Sequence, residues 1–284
     1  MITVGIAVYN EEKNIKQVID LWLEEPIDEI LVVSSGCTDN TKKIITSIKN
    51  KKLRLITEKK RKGKPSAINK ILKHSTGNTI IMADGDVFPK KGCTNELIQK
   101  FDSSVGIVAG RPIPHNTKGI YGYWAKISFE EQHKNRLKNC GVELTGNLYA
   151  LKKGLIQKIP KDILLDDAYI AYKIKQENKK IVYAPNAKVL VKFPTNIKDF
   201  LNQKARTRTG WYQLRHDENI SVKRTFKNDT IQATKTMKSL LTIKGFFYLP
   251  PFYFLSAIAW IKAWMNFKFK KNNLKVWKHI GSTK

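Results

Sequence analysis

Asn78-Thr79-Ile80-Ile81-Met82-Ala83-Asp84-Gly85-Asp86 is the stretch on which the fold turns. A mostly apolar run stops abruptly at two carboxylates with one glycine between them. Read as a buried strand over 79–83, it delivers Asp84 and Asp86 at its carboxyl end, the edge where open α/β sheets bind ligands. Two hard oxygen ligands there suit Mg2+ or Mn2+ carrying a diphosphate. Asp-Gly is also common turn chemistry, so the motif takes its meaning from its neighbours.

Those neighbours alternate. Residues 2–8 read as a strand, and Tyr9-Asn10-Glu11-Glu12 opens a helix to about residue 23, with Ile15, Val18, Ile19 and Trp22 at helical spacing. Residues 30–33 form a second strand, followed by a helix over about 40–49 with N-cap candidates in Thr38-Asp39-Asn40-Thr41. A third strand covers 53–57, a basic loop 59–64, a helix 65–74 and a fourth strand 79–83. Short alternating strands and helices predict a parallel, doubly wound sheet. No GxGxxG follows the first strand, which argues against a dinucleotide dehydrogenase. Downstream, strands are expected over 105–110, 144–151, 181–184 and 188–191, with helices over 120–137 and 166–177.

The chain has 284 residues and 42% hydrophobic content, enough for one large domain with a smaller appendage. Its 52 Lys+Arg against 24 Asp+Glu give a net charge of +28. That field favours polyanions: nucleic acid, an anionic bilayer or phosphorylated ligands. Cys37, Cys93 and Cys140 lack zinc-ligand spacing, and their odd number argues against a disulfide framework, so a reduced, cytoplasmic environment is expected. The apolar run 2–8 has no basic leader and meets Asn10-Glu11-Glu12 at once, so it reads as a strand and not as a secretory signal.

The carboxyl edge of the predicted sheet gathers Ala7, Tyr9 and Glu11 from the first strand, Ser34 and Ser35 from the second, Gly63 and Lys64 from the basic loop, and Asp84 and Asp86 from the fourth. An aromatic, hydroxyls, a cation and a carboxylate pair are the parts needed to hold a nucleotide diphosphate.

In these ordered motifs the chain resembles the inverting glycosyltransferases of family 2, over roughly residues 1–215. Gly5-Ile6-Ala7-Val8-Tyr9-Asn10-Glu11-Glu12 is similar to the family's opening strand, and Ile30 to Thr41 to its second. Lys62-Gly63-Lys64-Pro65-Ser66-Ala67-Ile68-Asn69 resembles its phosphate-side loop, and Asp84-Gly85-Asp86 its metal motif. The resemblance implies a GT-A nucleotide-binding α/β sandwich with a mainly parallel sheet, a nucleotide-sugar donor, UDP by default with GDP left open, and Mg2+ or Mn2+. It implies donor contacts at Ala7, Tyr9, Glu11, Ser35, Lys64 and Asp84, and metal ligation by Asp86 with Asp84. It further implies that Asp167, in Asp166-Asp167-Ala168-Tyr169, is the general base. Helix capping is the alternative for that acidic pair. The family often carries Asp where Ser35 stands. Gln203-Lys204-Ala205-Arg206 resembles the Gln-x-x-Arg-Trp motif of membrane polysaccharide synthases, which places Gln203, Arg206 and Asp166 near acceptor or diphosphate. Thr207 replaces the Trp of that motif, which speaks against processive polymerisation.

Residues 245–261 carry no charge except at their flanks and are rich in Phe, Tyr and Trp. Pro250-Pro251 is expected to break a helix there, so an embedded, interfacial or hairpin segment is anticipated. The expected plan is a transferase domain over 1–215 and a basic, apolar membrane-associated region over 216–284 that includes a helical segment. The enzyme would sit at the cytoplasmic face of the cell membrane. Its acceptor would be lipid-linked or a cell-surface glycan, and no nucleic acid partner is expected. Two other readings are a basic membrane- or nucleic-acid-binding protein on a degenerate transferase scaffold and a nucleotidyltransferase.

Overall fold

The computed structural model describes residues 1–138, 144–220, 225–229, 242–269 and 280–283. Cys140 lies outside them, while Cys37 and Cys93 are free thiols. The first half alternates as its sequence indicates: β1 (Ile2–Val8), α1 (Ile15–Leu23), β2 (Glu29–Ser35), α2 (Thr41–Ser47), β3 (Leu53–Glu58), α3 (Lys64–His74) and β4 (Thr79–Asp84). Then come β5 (Val87–Pro89), α4 (Cys93–Ile98), β6 (Val105–Pro114), α5 (Gly119–Lys138), β7 (Leu148–Lys152), α6 (Asp166–Gln176), β8 (Lys180–Val191), α7 (Ile197–His216) and α8 (Ile243–Phe269).

All eight strands join one sheet in the order β3-β2-β1-β4-β7-β6-β8-β5. β3, β2, β1 and β4 are parallel neighbours, as are β6 and β8. β7 runs against both of its neighbours and β5 against β8, so the sheet is mainly parallel, with two reversed strands. Side chains alternate between two cores. Val4, Ile6, Val8, Ile30, Val32 and Ile81 point to one face, where Ile15, Val18, Ile19 and Trp22 of α1 cover them. Ile80, Met82, Ile107 and Tyr149 point to the other, under Ala67, Ile68 and Ile71 of α3 and Ile170 and Ile174 of α6. The result is a GT-A-like α/β sandwich.

Besides β5 and α4, which are not expected from the sequence, and β7, which starts at Leu148 and not at residue 144, three elements differ from expectation. The first helix starts at Ile15 and not at Glu11, because Asn10 adopts a positive φ of 53° and the Glu11 carbonyl closes a turn on the N–H groups of Asn14 and Ile15. The segments expected over 181–184 and 188–191 are one strand, β8. Its register against β6 shifts between Ala109 and Arg111, so residues around Pro185 form a bulge and not a break.

The third difference is α8, which runs unbroken for 27 residues through Pro250 and Pro251. The missing prolyl N–H groups leave only the carbonyls of Phe246 and Phe247 without their helical partners. Packing holds the axis: Phe252 lies 5.7 Å from Phe200 of α7 and 5.7 Å from Trp124 of α5, ring centre to ring centre. The Trp124 indole N–H donates to the Tyr248 carbonyl at 2.7 Å. One side of α8 is thus buried through Leu249, Phe252 and Trp260, while Phe246, Phe247, Phe254 and Ile261 are each more than half exposed. Among the described residues it is the one helix long and apolar enough to cross a membrane, by length and composition.

Candidate active site

The carboxyl ends of β1, β2 and β4 open onto a cleft of about 260 Å3. Ala7, Tyr9 and Glu11 reach it from β1 and the turn after it, Ser35 from β2, Asp84 and Asp86 from the β4–β5 turn, and Lys64 from the start of α3. The far wall is Asp166 at the start of α6 with Gln203 and Arg206 of α7. Asp84 and the first residue of α6, Asp166, are 82 positions apart in sequence. The antiparallel pairing of β7 with β4 (Met82 opposite Tyr149) and the hydrogen bond from Gly146 to α6 close that distance.

Lys64 is the hub. Its Nζ stands 2.7 Å from Asp84 Oδ1 and 3.7 Å from Asp166 Oδ2. Burial pulls the ammonium toward deprotonation, but the charges of Asp166 and Asp84 outweigh it, so Lys64 is held firmly protonated, above the usual lysine range. Asp86 has the opposite problem. Burial and the neighbouring Asp84 charge push its carboxyl up to about 6, although Lys64 and Lys192 pull the other way. Gly85 lets the pair approach β1 closely: a Cβ there would lie 2.7 Å from Val8 Cγ1.

This carboxylate pair fits a divalent cation. Its donors are hard oxygens, and the mutual repulsion that raises Asp86 is what a bound cation relieves. No group of three or more His, Cys, Asp or Glu capable of holding a metal exists among the described residues. A two-carboxylate set of this kind leaves coordination positions for water and phosphate oxygens, the usual habit of Mg2+.

Asp167 is placed differently from its neighbour. Asp166 lines the cleft, whereas Asp167 lies beside it, accepting the Gly146 N–H at 2.8 Å and the Ala168 N–H at 2.8 Å. Burial and the Asp166 charge push Asp167 up to about 6, against the pull of Lys64 and the two N–H donors. Tyr149, fully buried under both, has its phenol raised well above the ordinary tyrosine value by burial and by these carboxylates.

Two expected donor contacts turn out to be engaged within the protein. The Ser35 hydroxyl donates to Glu58 Oε2 at 2.6 Å, and the Glu58 carboxylate also accepts from Ser66. Glu11 is 3% exposed and its carboxylate accepts from the Asn14 amide at 2.9 Å. Residues that sequence reading did not single out also line the cleft. The Arg61 guanidinium sits 3.7 Å over the Tyr9 ring. Lys192, at the end of β8, donates to Asn14 Oδ1 at 2.7 Å, and Ile280 and Thr283 close one side. The Lys59-to-Lys64 basic run was a signal for Arg61; nothing in the sequence marks the other three.

A family model described as glycosyl transferase family 2 matches residues 3–158. A poly-beta-1,6-N-acetyl-D-glucosamine synthase of Staphylococcus aureus is 23% identical over 226 residues, covering 75% of this chain and 55% of the relative. The chain thus spans about half the length of the curated relatives it matches. A mannosyltransferase from Pyrobaculum calidifontis, solved with GDP-Man and Mn2+, superposes with a TM-score of 0.67 at 19% identity, covering 95% of this chain and 88% of that one. Glucosyl-3-phosphoglycerate synthase from Mycobacterium tuberculosis, solved with Mn2+, UDP and phosphoglyceric acid, gives 0.56 at 18% identity, covering 78% and 80%. These structures share the fold. With more than half of the chain inside the family model, and with the carboxylate pair at the carboxyl edge of its sheet, the protein belongs to glycosyl transferase family 2.

Proposed function

We propose that this chain transfers a sugar from a nucleotide-diphosphate sugar, with inversion, to a hydroxyl of a lipid-linked or cell-surface glycan. The observation that carries this reading is the convergence of Lys64, Asp84, Asp86 and Asp166 on one cleft at the carboxyl edge of the sheet.

The donor's nucleobase lies against Tyr9 and Arg61, which together present a flat cationic wall. Asp84 and Asp86 hold Mg2+ or Mn2+, which when bound supplies positive charge to the diphosphate oxygens. Lys64 and Arg206 neutralise the leaving diphosphate, and Gln203 orients it or the acceptor. Asp167 receives the acceptor's hydroxyl proton as the new C–O bond forms at the anomeric carbon. The bond to the diphosphate oxygen breaks, and the electron pair leaves with the nucleoside diphosphate. A base raised toward neutrality removes a hydroxyl proton better than an ordinary carboxylate does. Asp166, facing the cleft, keeps Lys64 in place between the donor and acceptor sides.

Residues 1–215 form the catalytic body in this reading, and 216–284 the membrane-associated region at the cytoplasmic face. The exposed aromatic side of α8 enters the bilayer interface, and the surrounding excess of basic charge favours anionic lipid.

A thermal-shift panel of UDP, GDP and their sugar conjugates, with and without Mn2+ or Mg2+, tests the reading. Both bases belong in the panel, because the solved relatives hold GDP-Man in one case and UDP in another. Stabilisation by one nucleotide family only with metal supports it. No response from folded protein counts against it and favours a degenerate scaffold.

A further inference from the structure

A second groove, of about 1020 Å3, lies outside the cleft, between the outer face of α3 and the segment 153–162. Six lysines line it: Lys62, Lys70, Lys73, Lys153, Lys158 and Lys161. Among the described residues only two lining carboxylates oppose them. One, Glu58, is already engaged by Ser35, Ser66 and Lys70. The other, Asp162, is exposed. Lys62, Lys73, Lys158 and Lys161 are exposed and form no ion pair among the described residues.

The groove is preformed. Asn69 of α3 donates to the Ile159 carbonyl at 2.9 Å and accepts the Ile159 N–H at 2.8 Å. Gln213 of α7 grips the next stretch in the same way, through the Asp162 carbonyl at 2.9 Å and the Leu164 N–H at 2.8 Å. Positive side chains therefore stand on a wall pinned at two points, and ligand binding does not have to order that wall.

The lining selects among anions. Among the described residues it contains no aromatic side chain, so bases have nothing there on which to stack, unlike single-strand nucleic-acid channels. Its apolar members, Leu72 and Ile156, are buried, so the groove has no side chain to insert into a bilayer. All its cations are lysines, point charges that tolerate variable register, and none is the planar fork of arginine. The groove also adjoins the cleft: Lys62 and Ser66 flank Gly63, Lys64 and Pro65, and Asp162 precedes Ile163 and Leu164, all of which line the cleft.

We propose that this groove holds a linear anionic glycan, a saccharide chain bearing phosphate or carboxylate groups at intervals, and leads it to the cleft. Only the identification of that chain as the acceptor rests on the transferase reading; the binding does not.

The test compares two triple variants of the full chain by equilibrium binding. Lys73→Gln/Lys158→Gln/Lys161→Gln empties the groove. Lys42→Gln/Lys43→Gln/Lys49→Gln removes the same charge from exposed positions on and beside α2. The probes are a linear phosphodiester-linked phosphomannan for phosphate and alginate for carboxylate, with phosphatidylglycerol vesicles and a single-stranded oligonucleotide alongside. The groove triple should weaken at least one glycan-type polymer about tenfold or more and flatten its salt dependence, with the control triple changing it less than about twofold. Vesicle and oligonucleotide binding should fall equally in both triples. Equal loss of polymer binding in both triples, no polymer binding by the parent protein, or a groove-specific loss for vesicles or oligonucleotide would each overturn the proposal. Melting temperatures check that all variants fold. Donor-plus-Mn2+ stabilisation, measured on the same samples, fails separately if the transferase reading is wrong.

Discussion

Asp167→Asn should make the protein more stable and inactive at the same time. The folded state lifts the Asp167 carboxyl from 3.8 to about 6, through burial and the Asp166 charge. At neutral pH, where the group is ionised folded or unfolded, that rise weighs against the folded state by about 3 kcal/mol. Asparagine removes the charge and keeps an oxygen for the Gly146 N–H. Its amide nitrogen cannot accept from Ala168, which costs about 1 kcal/mol. The variant should therefore gain about 2 kcal/mol at pH 7. Because the folded value lies above the unfolded one, the folded protein binds the proton more tightly between them. The Asp167 contribution to wild-type stability then rises as pH falls from about 6 towards 3.8, and the variant's advantage disappears over the same window. Urea unfolding at pH 7 and pH 4 measures this directly. In parallel, Mn2+-dependent release of nucleoside diphosphate should fall by about 10²- to 10⁴-fold while donor binding persists. A variant less stable at pH 7 than the parent would refute the electrostatic argument. Retained turnover, with Asp166→Asn inactive instead, would move the base to the carboxylate that faces the cleft.

Asp86→Ala should abolish metal-dependent donor stabilisation in a thermal-shift assay; an unchanged Mn2+ response would place the metal elsewhere. Gly36→Ala should cost about 3 kcal/mol in chemical denaturation. Gly36 has φ +68°, and a Cβ there would lie 2.3 Å from the Arg61 backbone nitrogen, so a loss below about 1 kcal/mol would contradict that packing. Phe246→Ser/Phe254→Ser/Ile261→Ser, all on the exposed side of α8, should leave the melting temperature nearly unchanged and cut sedimentation with anionic vesicles about 100-fold. Undiminished sedimentation would put the membrane contact on the basic body. Point changes are the cleaner probe here, since deleting α8 would also uncover Trp124 and Phe200.

The parallel half of the sheet was legible because each strand is a short apolar run ending at a turn, and the carboxylate pair announced its own edge. Direction was not legible for β7: Leu148 to Lys152 is an apolar run whichever way it lies, and only its pairing with β4 and β6 reverses it. Pro250-Pro251 misled because local backbone chemistry opposes a helix, while the Trp124–Phe200–Phe252 cluster that maintains it is assembled from three distant segments. In the site, residue types are legible in the sequence and their partners are not. Ser35 is expected to contact the donor, yet its partner Glu58 lies 23 residues away and meets it only because β3 pairs with β2. Lys192 and the Asp167–Gly146 bond depend on β8 and β7 in the same way, on register that no local pattern encodes.

The packing of α8 against α7 also fixes a height. α7 turns Gln203 and Arg206 to the cleft and Phe200, Ala205 and Thr209 to the packed interior, with the Thr209 hydroxyl 3.4 Å from the Ala263 carbonyl of α8. In space the apolar helix packs directly against the helix that walls the cleft. The cleft consequently stands two helix thicknesses, about 20 Å, from whatever medium receives the outer side of α8. An acceptor hydroxyl carried at the end of a lipid would have to be presented within that fixed reach, so the enzyme would behave as a ruler, favouring head groups of one length over shorter ones that fall short and longer ones that must fold back.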